Sequence, residues 1–165
     1  MGEIATYYLE QTSSSHLIPK SGPTDLVVRE AEIKHCRLNR FFYLWVGEPW
    51  QWTDRLAWTD HQWQAYAEDA NLHTWLAYVQ GTPAGYFELQ RQQEGDVEIA
   101  LFGLAPPFLN RGLGSSLLTE ALRSAWAWKG THRVWVHTCT LDHPHALQNY
   151  IDRGMTLYRT ETTEA

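Results

Sequence analysis

Residues 98–118, EIALFGLAPPFLNRGLGSSLL, join a strand to a strongly amphipathic helix through a turn rich in proline and glycine. Upstream, Asp96 to Leu104 alternates Val97, Ile99 and Leu101 on one face with Glu98 and Ala100 on the other, the period of a half-buried strand. Downstream, apolar positions 113, 117, 118, 121, 122, 125 and 126 keep helical spacing, and Lys129-Gly130 ends a helix predicted over Leu113–Trp128. The first N–H groups of such a helix lack intrahelical partners and sit at the positive end of its macrodipole. Gly112 and Gly114 leave no side chain between that backbone and a ligand, and Arg111 adds a full charge. The loop therefore reads as an anion site at a helix start. Taken alone, the same glycines also suit a tight connection without a ligand. A dinucleotide fingerprint does not fit, because Leu117 stands where a third glycine is wanted, and there is no Gly-Lys-Ser/Thr.

Further strands flank this unit. Leu72–Gln80 and Ala84–Gln90 read as a hairpin about Gly81-Thr82-Pro83, Arg133–Cys139 as a Val/Trp-rich strand, and Met155–Arg159 as another, after a short helix Ala146–Asp152 closed by Gly154. Toward the N-terminus, Thr6–Leu9 and Asp25–Glu30 read as strands, separated by a connector through Ser13-Ser14-Ser15 and Pro19-Lys20-Ser21-Gly22-Pro23. Glu32–Trp45 is predicted helical, with Ile33, Leu38, Phe41, Leu44 and Trp45 partly on one face. Thr59 caps a helix reaching about Asp69. Antiparallel strands followed by β-α-β-α-β predict an α/β domain with a mixed, mostly antiparallel sheet and helices on both faces.

The 165 residues make one domain of ordinary size. A formal charge of −6 argues against nucleic acid, which needs clustered Lys and Arg. No apolar run approaches the roughly 20 residues of a membrane span. Two cysteines, Cys36 and Cys139, are too few for a stapled secreted scaffold, so a cytoplasmic protein with free thiols is expected. His137, Cys139, His143 and His145 lack the paired four-ligand spacing of zinc, and no metal is expected. The nine tryptophans are unusual, and Trp45, Trp50, Trp52, Trp58 and Trp63 crowd one stretch. Trp45, Trp58 and Trp63 are expected to fill space under the sheet. Trp50 and Trp52, beside Glu48 and Asp54, are expected to line an acceptor site, by stacking or by holding a cation.

Glu98 to Leu118 resembles the acetyl-CoA motif of the GNAT superfamily of N-acetyltransferases, in which the loop backbone wraps the CoA pyrophosphate. Leu104, Pro106, Gly112 and Gly114 match it; Leu109 stands where Gln or Arg is usual, with Arg111 placed to compensate in part. His143 to Met155, HPHALQNYIDRGM, is similar to that family's helix-to-strand segment at Ala146, Tyr150 and Gly154, with His143 where Asn is common. The whole chain also resembles a bacterial branch of the family that carries the same Trp-rich stretch. The resemblance covers residues 72–160 as an acetyl-CoA-binding core, and leaves 1–71 as the variable, acceptor-side part.

The resemblance implies acetyl transfer from acetyl-CoA to a primary amine of a small molecule or peptide, with a homodimer as a common assembly. It places Leu104, Leu109, Asn110, Arg111, Gly112, Leu113, Gly114, Ser115 and His143 at the cofactor. Tyr150 takes the position of the general acid that serves the departing sulfur, and Glu98 that of the base, directly or through water. Glu88, on the preceding strand and beside the acceptor, is the alternative base. An alkyl amine with a pKa of about 10.4 is mostly protonated near neutrality, so the chemistry needs such a base. Two other readings stay open: acyl transfer or hydrolysis through a Cys139 thiolate with His143 as base, and a CoA-binding sensor without turnover.

Overall fold

Seven strands and four helices follow one another along the chain, in a computed structural model that describes residues 2–22 and 25–164. They are β1 (Glu3–Gln11), β2 (Leu26–Glu30), α1 (Cys36–Gly47), α2 (Asp60–Ala67), β3 (Leu72–Val79), β4 (Thr82–Arg91), β5 (Asp96–Leu104), α3 (Gly114–Ala127), β6 (Arg133–Cys139), α4 (Ala146–Asp152) and β7 (Thr156–Glu164). All seven strands form one sheet in the order β2-β3-β4-β5-β6-β1-β7. Every pair is antiparallel except β5–β6, which the α3 crossover makes parallel. This is the single-domain, mostly antiparallel α/β architecture expected.

The helices divide between the two faces. On one, the Phe42 ring of α1 stacks on Tyr86 of β4, and a Cβ at Gly103 would strike Val46 of α1. On the other, the Tyr150 ring of α4 lies 6.2 Å from Phe102, and Asn149 donates to the Gly114 carbonyl at the start of α3. Apolar residues of α3 (Leu117, Leu118, Ala121, Leu122, Ala125) are fully buried in the core, with Val97 and Leu89 of the sheet.

Several expectations shift for physical reasons. The first helix begins at Cys36, not Glu32, because His35 is its N-cap and its Nδ1 accepts from the Arg37 amide at 3.3 Å. Ile33 therefore precedes the helix and is 88% exposed, and the buried face of α1 is Asn39, Phe42, Tyr43, Val46 and Gly47. The β3–β4 turn is Gln80-Gly81, both left-handed at φ 51° and 77°, so Thr82 and Pro83 already belong to the strand. Thr59 is the N-cap expected, and the structure adds Gln62 as its partner in a capping box. Pro23, the end of the predicted connector, lies outside the described residues.

The alternation predicted for β5 breaks at Ala100. Leu89 pairs with Ile99 but Glu88 with Leu101, so Ala100 is an extra residue, a β-bulge. Beyond it Leu101 turns to the α1 face, the face of Glu88 and Glu98, rather than staying with Val97 and Ile99. The last strand runs to Glu164 instead of Arg159 because β1, at the opposite end of the sequence, pairs along most of it.

Candidate active site

The parallel β5–β6 ladder is only three residues long: Asp96 with Arg133, Val97 with Val134, and Glu98 with Trp135. Past Glu98 the strands part. β4 continues to hold β5 as far as Leu104, and β1 holds β6 as far as Cys139. The facing edges of 99–104 and 136–139 are left without a strand partner, a notch opening toward the C-terminal ends of the two parallel strands. A cleft of about 900 Å³ occupies it.

The glycine loop stands at the mouth. Asn110 and Gly112 are left-handed (φ 60° and 73°), and no protein atom lies within 4 Å of where a Gly112 Cβ would be. Leu113 caps α3 without a side-chain bond. The amides of Gly112 to Ser116 donate to no acceptor among the described residues. These are free donors at the N-terminus of a 14-residue helix, the arrangement that suits a diphosphate. Leu104, Leu109, Asn110, Gly112, Leu113, Gly114, Ser115 and His143 all line the cleft. Arg111 does not: its guanidinium lies 5.4 Å from the Phe108 ring, outside the lining. The cations that do line it are Lys20, Arg55 and Arg153; the side chains of His137, His143 and His145 line it as well. His143 Nε2 is 3.4 Å from Asn110 Oδ1, and burial lowers its pKa, with His145 adding to the effect.

Glu98 and Tyr150 reach the notch from opposite faces of the sheet. The Glu98 side chain is 13% exposed; it accepts from Gln92 Nε2 at 2.9 Å and lies 3.7 Å from His137 Nε2. Burial raises its pKa above the ordinary carboxylate value, with His137, Gln92 and Arg55 opposing. Tyr150 is buried from the α4 side, and its hydroxyl has no hydrogen-bond partner among the described residues. Burial, reinforced by Asp142, holds the phenol pKa far above its usual value. It keeps its proton, and its strength lies in donating a hydrogen bond rather than in releasing the proton outright.

Glu88 occupies a different environment. It is fully buried beneath α1 and α2, outside the cleft lining, where Asn39 Nδ2 donates at 2.7 Å and Tyr66 hydroxyl at 2.6 Å. Arg55 Nη1 lies 3.7 Å away. Burial raises the Glu88 pKa, with Arg55 and the Asn39 and Tyr66 donors opposing. Asn39 on the buried face of α1 is thus a donor to a carboxylate, which apolar periodicity does not disclose. Arg55 itself packs over Tyr66, Trp58, Tyr43 and Trp63, at 4.1 to 5.7 Å. Tyr66 and Arg55 line the cleft and screen Glu88 from it.

The tryptophans divide between the core and the cleft. Trp63 is 2% exposed and Trp58 packs edge-on against it. Trp50 and Trp52 line the cleft: Trp50 meets the His143 ring at 5.2 Å, and Trp52 Nε1 is 3.4 Å from Asp142 Oδ1. A Cβ on Gly47 would stand 2.5 Å from Trp52, so the glycine at the end of α1 makes room for that indole. Cys139 also lines the cleft, but burial pushes its thiol up, and Asp142 and Asp54 add to the push. No imidazole hydrogen-bonds it among the described residues. Arg55 and Arg153 were not singled out from sequence; each is a lone arginine in an otherwise apolar or polar stretch, and only the fold shows that both are largely buried.

A family model described as "Acetyltransferase (GNAT) family" matches residues 38–155. Similar solved structures include a GCN5-related N-acetyltransferase from Kribbella flavida (TM-score 0.69, 16% identity, 96% of this chain and 56% of that one). Another, from Sphaerobacter thermophilus, gives 0.71 at 16% identity, over 95% and 49%. An aminoglycoside acetyltransferase from an uncultured soil metagenomic sample gives 0.62 at 14% identity, over 78% and 87%. The chain thus spans about half the length of the first two. No curated protein matches it by sequence.

Proposed function

The chain belongs to the GNAT acetyltransferase family, and from that premise we propose that it moves the acetyl group of acetyl-CoA onto a primary amine of a small molecule or peptide. The observation that carries this reading is the three-residue β5–β6 ladder, which leaves a notch between the free helix-start amides and two groups of opposite role, Glu98 and Tyr150. Acetyl-CoA supplies an activated carbonyl on a thiol leaving group. The amides of Gly112 to Ser116 hold its diphosphate, and the unpaired edge of β5 between Ile99 and Leu104 directs main-chain donors at the carbonyl oxygen as it gains charge.

The amine enters from the α1–α2 face, past Trp50 and Trp52. Glu98 is the preferred base, because it lines the cleft and its raised pKa makes it a better proton acceptor. It takes the amine proton directly or through water while nitrogen bonds to the carbonyl carbon. Tyr150, from the α4 face, donates a hydrogen bond to sulfur as the C–S bond breaks. Glu88 supports Arg55 and Tyr66 on the acceptor side instead of reaching the reaction. Cys36 and Cys139 are unbonded, which supports a cytoplasmic location, and no helix among the described residues is long and apolar enough to cross a membrane.

Calorimetry with acetyl-CoA, followed by assay of free CoA release over an amine panel, tests the proposal. Binding heat and amine-dependent release, retained in Cys139→Ala, are expected. Release without amine that vanishes in Cys139→Ala indicates the thiol route. Tight binding without turnover indicates a sensor, and no heat at all removes the CoA reading.

A further inference from the structure

We infer that the cleft contains a second anion site, in which Arg153 and Lys20 bind the 3′-phosphate monoester on the ribose of the cofactor, an inference that rests on the acetyl-CoA reading above. Arg153 follows the last turn of α4, and its backbone is fixed on both sides. Its amide donates to the Asn149 carbonyl at 3.0 Å, and its carbonyl accepts from Gln11 Nε2 at 3.0 Å and the Ile18 amide at 2.9 Å. The residue is 8% exposed, and Nε and Nη1 are enclosed without an acceptor among the described residues. No ion pair among the described residues includes it. A charge taken out of water and left unpaired is costly. A guanidinium kept in that state, with the rest of the residue lining a cleft, is matched to an anion that arrives from outside.

Lys20 comes to the same place from the N-terminal connector. Its amide donates to Thr119 Oγ1 at 3.0 Å, and that hydroxyl donates to the Ser115 carbonyl at 2.8 Å, which sets Lys20 beside the first turn of α3. Two residues earlier, Ile18 holds the Arg153 carbonyl. Lys20 and Arg153 line the cleft together with Gly114, Ser115 and Asn149, and Lys20 also borders an adjoining cavity of about 340 Å³ with Ser116 and Arg123. The nearby carboxylates are already engaged: Glu120 is 3.3 Å from Arg123 Nη1, and Asp152 Oδ1 accepts from Gln148 at 2.7 Å.

The choice of phosphate follows from what remains. The loop amides serve the diphosphate, and the only other anionic group on CoA is the 3′-monoester, which carries about −1.5 to −2 charges near neutrality. Two cations lining the same cleft fit a monoester of that charge, and a guanidinium binds its oxygens with charge-assisted hydrogen bonds.

Calorimetry comparing CoA with 3′-dephospho-CoA tests this on the wild-type protein, Arg153→Gln and Lys20→Ala. The wild type is expected to prefer CoA by at least about tenfold, the effect of losing a hydrogen bond to a charged group. In Arg153→Gln that preference falls to about twofold or less, while the affinity for 3′-dephospho-CoA stays unchanged. Lys20 is exposed, so Lys20→Ala folds even if the buried substitution does not, and it is expected to reduce the preference about threefold. Equal wild-type affinity for the two ligands overturns the inference and leaves the CoA reading standing. An unaltered preference in Lys20→Ala and Arg153→Gln also overturns it. Absence of heat with either ligand removes both.

Discussion

The Glu98 carboxylate lies 3.7 Å from His137 Nε2, at the point where β5 and β6 separate. Glu98 is the last β5 residue in the parallel ladder, and His137 stands two residues past its partner Trp135 on β6. The acidic group is therefore fixed at the closed end of the notch, where the ladder stops.

Because burial raises the Glu98 pKa, the acid limb of kcat/KM is expected to fall above the usual value of 4.5, with activity rising as the carboxylate ionises. Glu98→Gln should lower kcat by roughly 10²–10⁴-fold and flatten that limb. A pH–rate profile that keeps the same limb in Glu98→Gln assigns the base elsewhere.

Tyr150→Phe removes a hydroxyl that has no hydrogen-bond partner among the described residues, so the thermal midpoint should hardly move while kcat drops about 10²-fold. The KM for acetyl-CoA should stay close to its wild-type value. Melting curves run beside steady-state kinetics separate this from a packing role, in which stability would fall and the rate per folded molecule would not.

Glu88 is predicted to act through stability. Glu88→Ala strands Arg55 and two donors in the interior, a loss of about 3–5 kcal/mol. Glu88→Gln should cost less. The native pKa of Glu88 is raised, so the folded state binds its proton more tightly than the unfolded chain does, and stability falls as pH climbs from about 4.5 through the raised value. The advantage of wild type over Glu88→Gln should therefore shrink over that interval in denaturant melts, and a widening gap would contradict the assignment.

Trp52→Ala opens the cleft wall between Tyr43 and Asp142, which the proposed function assigns to the acceptor. The expected result is a rise of about tenfold in acceptor KM with acetyl-CoA affinity unchanged, comparable to losing one stacked or cation-holding aromatic contact. A loss of folding stability with both KM values intact would make it a core residue instead.

The strands, the amphipathic α3 and the glycine loop were legible from local pattern, because period, caps and turn residues are written in neighbouring positions. Thr59 illustrates this: a capping side chain just before the first turn marks a helix start wherever the helix packs. What resisted reading depends on partners far away in sequence. The Ala100 bulge is a register choice between β4 and β5, and it alone moves Leu101 to the Glu88 face. Ile33 fits a helical stripe but lies outside the helix, since His35 caps it two residues later. Arg55 and Arg153 resemble surface arginines until the aromatic packing around one and the α4–β1 contacts around the other are known.

The placement of β1 between β6 and β7 bears on how the molecule is made. Tyr8 and Glu161 hydrogen-bond although 153 positions separate them. During synthesis on the ribosome, β1 must wait for β6 and β7, which are translated much later, and such distant pairings are slow to form. An exposed strand in that interval is open to capture by another nascent chain. Expression yield should accordingly respond more to chaperone supply, and to substitutions in β1, than the stability of the finished protein would suggest.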